Sequence, residues 1–471
     1  MAQTVLRAAA RARNRGPAVA APVFRFEVPG GRPPSQLLEW LPRGGAPHLL
    51  DALGPSGWGS DPGSDGPGVG LLALDPEAVF AGGLAALQEA RRWLADARCV
   101  TSLGAILIGS LGYELGLELS GGRVTPSCEP PRAPVQLAGF LAVYRYDWRS
   151  GAAEIVGSSR RAVDRLADRI AAAAPGPRAA CAALPSPVSR SSDLEFGRSI
   201  ERVKDYIRAG DVYQVNLSRR LETSAPEQSE ARRLFGRLAE RAGAPFSAYL
   251  ETPEQTLISA SPERFLRVSG ERVETCPIKG TRPRGETPAA DSALLAELER
   301  SAKDRAEHVM IVDLERNDLG RVCKTGSVRV TRLCEPRSYS DVHHLVSRVE
   351  GRLRDPADWP ALLEATFPGG SITGAPKLRA MQIIAELEPV PRGVYTGALG
   401  VFDSVGDVDL SIAIRTAVAS GGELHLHLGG GIVADSDVEQ ELRETRDKGR
   451  AFARSWGFEE RASPEKRHSS A

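Results

Sequence analysis

Ser192-Asp193-Leu194-Glu195-Phe196 opens, and Asp211-Val212-Tyr213-Gln214-Val215-Asn216-Leu217-Ser218 closes, the stretch on which the fold turns. Ser192 and Glu195 have the spacing of a capping box. Phe196, Ile200, Val203 and Ile207 then keep a helical period up to Gly210, a natural C-terminal stop. After Gly210 the period shortens. Val212, Val215 and Leu217 alternate, imperfectly, with polar residues, which predicts a strand leaving a turn. From here to about Phe452, strand and helix patterns alternate with short connections. That alternation fits an antiparallel α+β packing and a parallel α/β sheet equally well.

Working outward, the chain divides into an N-terminal region (23–150), a helix and linker (151–191) and a third region (192–456). In the first, Gly104–Gly112 and Phe140–Tyr146 read as strands and Leu84–Ala97 as a helix. Ala172–Arg190 is rich in Ala, Pro and Ser and has linker character. The tail after Trp456 is polar. The first 22 residues carry four arginines and no acid, which reads as a plain leader rather than a targeting segment.

The 471 residues, 42% hydrophobic, can bury a sizeable core. Lys+Arg and Asp+Glu both number 60, so nothing in the charge points to nucleic acid. No run approaches the roughly 18 apolar residues of a membrane span. Six scattered cysteines without CxxC spacing suit a reduced, cytoplasmic compartment. Only seven of the 60 basic residues are lysine, so a lysine here invites a chemical reason.

Four segments carry candidate chemistry. Ser261-Pro262-Glu263-Arg264-Phe265 is followed by Pro277-Ile278-Lys279-Gly280-Thr281. A lysine on so rigid a turn can bind an anion, form a surface ion pair or act as a nucleophile. Asp304–Gly320 places Glu307 just before an apolar run of helical character. Phe367-Pro368-Gly369-Gly370-Ser371-Ile372-Thr373-Gly374-Ala375-Pro376-Lys377 runs into a helix with Pro376 in its first turn, where free backbone N–H groups suit a carboxylate. Its spacing is not that of a phosphate-binding Walker loop. Finally, Gly429-Gly430-Gly431 precedes a helix on which Glu441, Glu444 and Lys448 share a face. Those two carboxylates can hold a hard cation such as Mg²⁺, or simply form a solvated acidic face.

Together these segments resemble the chorismate-utilising enzymes, a family that includes anthranilate, aminodeoxychorismate, isochorismate and salicylate synthases. Asp211–Ser218, Glu307–Gly320, Phe367–Glu388 and Gly429–Ser436 occur in family order, and the likeness is strong from about 195 to 453 and weak before 150. Lysine at 279, where anthranilate synthases have alanine, is similar to the members that aminate chorismate at C4 on the way to 4-aminobenzoate and folate. The resemblance implies an α+β fold in which two antiparallel β-sheets pack face to face with helices outside. It implies Lys279, Glu263 and His344 as catalytic residues. Thr281, Thr373, Tyr395, Arg415, Gly429, Gly430, Gly431 and Lys448 match substrate-pocket positions. Glu307, Glu441 and Glu444 match positions around Mg²⁺.

A separate glutamine amidotransferase is the implied ammonia source, since no Gly-x-Cys-x-Gly elbow is present. Anthranilate synthase component I is the competing reading. Leu49-Leu50-Asp51-Ala52 falls where relatives can contact tryptophan but departs from the serine-containing pattern of feedback-inhibited anthranilate synthases. Tryptophan is therefore expected not to inhibit strongly.

Overall fold

The computed structural model describes residues 21–457, apart from 43, 53–56, 60–67, 98, 100, 122–131, 176–183 and 340–341. All of the leader but Ala21 and Pro22 lies outside the described residues, as does everything after Gly457. The elements that matter for the site are α1 (Asp193–Arg208), β1 (Gln214–Ser224), β2 (Arg264–Ser269), β3 (Ile278–Pro283), α2 (Ala302–Gly320), β4 (Val342–Arg352), α3 (Lys377–Leu387), β5 (Glu423–Ile432) and α4 (Val438–Trp456).

The opening stretch folds as its pattern predicts. Ser192 Oγ accepts from Glu195 N at 3.2 Å while Glu195 Oε2 accepts from Ser192 N at 2.8 Å, so both partners of the capping box are in place. Phe196, Ile200 and Val203 form the buried face of α1. The helix ends before Gly210, whose φ of +83° suits glycine.

Among the described residues the strands form a 12-stranded and a 10-stranded sheet, and every pairing between strands is antiparallel. Helices cover the outer faces. Leu234, Phe235, Phe452 and Trp456 pack on the larger sheet, and Leu87, Val312, Leu362 and Leu363 on the smaller. Between the sheets lies a core to which Leu50, Ala248 and Leu257 come from one side and Ile108, Phe140 and Leu399 from the other. Full burial of each such side chain stabilises by roughly 1.5–3 kcal/mol, and the two apolar faces dictate the face-to-face arrangement. The expected fold class is the observed one.

Residues before 151 contribute to both sheets. His48–Asp51 pairs with Phe246–Glu251, and Ile106–Leu111 pairs with Ala398–Asp403. One reading is corrected. Phe140–Tyr146 is not a single strand: Val135–Phe140 belongs to the smaller sheet and Ala142–Asp147 to the larger, with the chain crossing at Leu141. Both halves bury apolar residues, so the run looks continuous although its partners change. Val188–Ser189, inside the linker, forms a short strand against Leu221–Glu222. Among the described residues no helix is long and apolar enough to cross a membrane.

Candidate active site

Lys279 sits on β3 opposite Leu345 of β4, and the next register pair is Thr281 with His344. The extra residue of this bulge is Gly280, at φ +70°. A Cβ there would also meet Leu298 Cδ1 at 2.8 Å and Asp304 at 3.3 Å. The bulge brings Lys279 against the other sheet, where β1 and β5 pair Asn216 with Gly431, Leu217 with Gly430 and Ser218 with Gly429. Each glycine makes room for something specific. A Cβ on Gly429 would strike Leu217 O at 2.4 Å. One on Gly430 would meet Glu441 Oε2 at 3.0 Å and Glu444 Oε1 at 3.4 Å. One on Gly431 would meet Gln214 Nε2 at 2.9 Å and Lys279 Nζ at 3.4 Å. The glycine run thus leaves room for Lys279 at Gly431 and for the two carboxylates at Gly430.

Burial sets the protonation of this cluster. It lowers the Lys279 ammonium below the usual lysine range; Glu307 opposes the shift, Lys448 adds to it, and Glu263 and Glu444 also oppose it. Glu263 is buried, and desolvation pushes its carboxyl up to about 7, against the hydrogen bond from Ser371 and the charge of Lys279. Its Oε1 accepts from Ser371 Oγ at 2.7 Å and from Ile278 N at 3.4 Å, which ties it to the lysine-bearing strand.

His344 is buried, and desolvation, with the charge of Arg415, takes it down to about 3. It is therefore neutral at physiological pH. Its Nδ1 lies 3.2 Å from Gly280 O and 3.1 Å from Thr281 Oγ1. Because the carbonyl can only accept, Nδ1 is assigned the proton, leaving an Nε2 lone pair with no partner. The neutral imidazole thus offers Nε2 as an acceptor.

Glu441 is buried and accepts from Ser436 Oγ at 2.7 Å. Glu444 Oε1 accepts from Lys448 Nζ at 2.7 Å, and Lys448 also reaches Gly429 O at 2.7 Å. Glu307, on the first turns of α2, lies 4.0 Å from Lys303. Burial raises Glu307 and Glu441, and the charge of Glu444 raises both further. Mutually repelling carboxylates are a fitting donor set for a hard cation. Among the described residues no three His, Cys, Asp or Glu side chains close a metal site by themselves. A bound Mg²⁺ would take remaining oxygens from substrate or water, as Mg²⁺ usually does.

The other sequence candidates divide. Arg415 stands at φ +48°, close enough in charge to depress His344. Tyr395 is buried, stacked on His427 with ring centroids 5.1 Å apart, and lies under the Arg392 guanidinium. Thr373 spends its hydroxyl within its own loop, donating to Gly369 O at 2.8 Å, and its carbonyl accepts from Asn216 N. Its hydroxyl is therefore already committed within the loop. Pro376 is the N-cap of α3, which starts at Lys377. Lys377 is engaged by Asp318 at 2.7 Å and Thr366 O at 2.8 Å.

Two features escaped the sequence reading. Gln214 is fully buried, and neither of its amide atoms has a partner. Its Nε2 shares with Lys279 Nζ the space before Gly431, so the amide is aimed at whatever occupies the pocket. The signal was available, since Gln214 and Asn216 fall on the polar side of the alternation. Gln214→Leu is expected to lower kcat/KM by about tenfold, the worth of one good hydrogen bond, while the melting temperature holds or rises because an unsatisfied amide has been removed. Steady-state kinetics and thermal melts on the same preparation check both halves.

The second feature is Arg392. It donates to Glu388 Oε2 at 2.8 Å and Oε1 at 2.7 Å, to Ile372 O at 3.2 Å, to Thr396 Oγ1 at 3.1 Å and to Asn216 O at 2.5 Å.

At Leu49–Ala52, Asp51 is fully buried and already engaged, by Trp148 Nε1 at 2.7 Å and Ser35 N at 3.1 Å. Beside it Trp58 donates to Ser247 O at 3.0 Å. The chain's own indoles occupy these acceptors. Millimolar tryptophan is expected to leave turnover unchanged, and inhibition at micromolar concentration in a titration would contradict this.

Comparisons with known proteins identify the family and the fold. Residues 72–454 match the family model described as chorismate binding enzyme. Over 257 residues the chain is 52% identical to anthranilate synthase component 1 1 of Haloarcula marismortui, covering 55% of this chain and 52% of that protein. Over 259 residues it is 47% identical to aminodeoxychorismate synthase component 1 of Bacillus subtilis, covering 55% of each. The chain thus spans about half the length of these two relatives. The corresponding protein of Klebsiella aerogenes is 42% identical over 351 residues, 72% of this chain and 75% of that one. The crystal structure of anthranilate synthase component I from Streptococcus pneumoniae superposes with a TM-score of 0.72 at 27% identity, covering 82% of this chain and 92% of that one.

Proposed function

This chain belongs to the chorismate binding enzyme family, and we propose that within it the protein aminates chorismate at C4, giving 4-amino-4-deoxychorismate. The observation that carries the reading is Lys279, half-buried against Gly431, where desolvation disfavours its ammonium. In this reading neutral Lys279 Nζ attacks ring C2. Both ring double bonds shift by one position, the C4–O bond breaks, and protonated Glu263 gives its proton to the departing hydroxyl, which leaves as water. Ammonia then attacks C4, both double bonds shift back and the C2–Nζ bond breaks. The proton shed by the new amine passes to the Glu263 carboxylate, restoring the acid. The detour divides one hard substitution into two easier ones.

Arg415 grips the side-chain carboxylate of chorismate in a guanidinium fork, and Lys448 and the Gly429–Gly431 backbone line the pocket beside it. His344 Nε2 and the Gln214 amide supply the acceptor and donor that orient the ring hydroxyl. Glu307, Glu441 and Glu444 would hold Mg²⁺, which when bound neutralises the ring carboxylate and draws electrons from the ring. A separate glutamine amidotransferase, in keeping with the component 1 names of the relatives, supplies ammonia in a cytoplasmic pathway toward 4-aminobenzoate and folate.

The test is product analysis with chorismate, Mg²⁺ and an ammonium salt. Aminodeoxychorismate is expected. Anthranilate, the product suggested by the Haloarcula relative's name, would replace this reading with the competing one, and isochorismate would exclude both. Chelation should drop turnover to background, with full recovery on adding Mg²⁺. Glu441→Gln should raise the Mg²⁺ concentration needed for half-maximal rate by about tenfold or more, and chelator-resistant turnover would remove the metal from the scheme.

A further inference from the structure

The segment 367–377 takes no part in the steps above, yet it delivers one hydroxyl to the acid. Its backbone is locked from several sides. A Cβ on Gly369 would meet Ile412 Cδ1 at 2.9 Å, and one on Gly370 would meet Leu314 Cδ2 at 2.6 Å. The two glycines thus let the segment lie directly against the smaller sheet and against α2. Thr373 Oγ1 donates to Gly369 O at 2.8 Å, Arg392 Nη1 to Ile372 O at 3.2 Å, and Asn216 N to Thr373 O at 2.9 Å. Ser371 stands between these ties and is buried.

Its hydroxyl donates to Glu263 Oε1 at 2.7 Å, and Ile278 N donates to the same oxygen at 3.4 Å. Among the described residues no hydrogen bond reaches Oε2. An oxygen that already accepts two bonds is poorly placed to carry the proton as well. We propose that Ser371 is a positioning residue for the amination: by engaging Oε1 it directs the acid proton of Glu263 to Oε2, where it is free to pass to the departing hydroxyl. The inference rests on the C4 amination reading above. The other groups that act on this carboxyl carry charge: Lys279 from β3, Lys448 from α4 and Glu315 from α2. A donor to Oε1 also favours the carboxylate. Its loss therefore raises the pH at which Glu263 ionises and carries the alkaline limb of kcat upward.

The experiment compares the full chain with its Ser371→Ala and Ser371→Thr variants, using chorismate, Mg²⁺ and saturating ammonia at each pH. Ser371→Ala is expected to lower kcat by about tenfold or more, the worth of one good hydrogen bond. KM for chorismate should stay within about twofold, and the alkaline limb should move up by about half a pH unit or more. Ser371→Thr keeps the hydroxyl and should restore kcat to within about threefold of the wild type. Infrared titration reads the same group without turnover: the protonated-carboxyl band that Glu263→Gln removes should persist to higher pH in Ser371→Ala.

Unchanged kcat and alkaline limb in Ser371→Ala, or an unmoved infrared midpoint, would overturn the proposal. So would a threonine variant as slow as the alanine one at an unaltered melting temperature. Should threonine unfold the segment, the infrared midpoint of the alanine variant decides. A product other than aminodeoxychorismate removes the amination reading instead, and that midpoint then decides by itself whether Ser371 governs Glu263.

Discussion

Lys279→Ala is expected to lower turnover of chorismate with saturating ammonia by about a thousandfold or more, on the order of 4 kcal/mol of transition-state stabilisation. Lys448 is held by Glu444 and Gly429 O, and Lys377 by Asp318 and Thr366 O, so neither is placed to replace it. Lys279→Arg should not rescue activity, because a guanidinium stays protonated and cannot be a nucleophile.

Stability should move the other way. Burial lowers the Lys279 pKa, so at neutral pH the unfolded chain takes up a proton that the folded chain resists, and removing the group relieves that cost. A variant that is inactive yet melts at the same or a higher temperature is the expected result. Mass spectrometry of the native protein with chorismate and no ammonia should find an adduct on Lys279. Native-rate turnover by Lys279→Ala would end the nucleophile role, and absence of the adduct would leave the lysine only an electrostatic one.

Arg392→Ala is expected to cost about 3–5 kcal/mol of stability, the range for stranding a buried partner. Glu388 would lose both of its guanidinium bonds while remaining 8% exposed. The loop carbonyl of Ile372 and the β1 carbonyl of Asn216 would lose their shared donor. Denaturant unfolding measures the loss. The double variant with Glu388→Ala should lose less than the sum of the singles, because the second change removes the stranded charge. A loss below about 1 kcal/mol would show that the network stabilises little.

The contrast between these two residues explains what could be read from the chain. Lys279 announces itself through local chemistry, a lysine in an arginine-rich sequence next to a glycine that permits a bulge. Ser192 with Glu195 and the Gly429–Gly431 run are legible for the same reason, since each is a short-range pattern with one physical meaning. Arg392 and Glu388 are an ordinary i,i+4 pair until the fold brings Ile372 and Asn216 to them. Gln214 is one polar residue in an alternating strand until Gly431 arrives opposite. The crossing at Leu141 hides for a related reason, because burial on either sheet looks alike in sequence. Properties that arise from distant partners are invisible locally, and the packing of the sheets is what creates them.

The seams where early and late strands join, Asp51 with Ser247 and Leu111 with Ala398, also set a timetable for synthesis. A ribosome adding ~5–20 residues per second delivers the first strand of each pair tens of seconds before its partner. Through that interval His48–Asp51 can pair with Val69–Ala73 and Ile106–Leu111 with Val135–Phe140, while the other edge of each strand waits for its partner. A pulse-labelled lysate should therefore show His48–Asp51 protease-sensitive until translation passes residue 251 and Ile106–Leu111 until it passes residue 403.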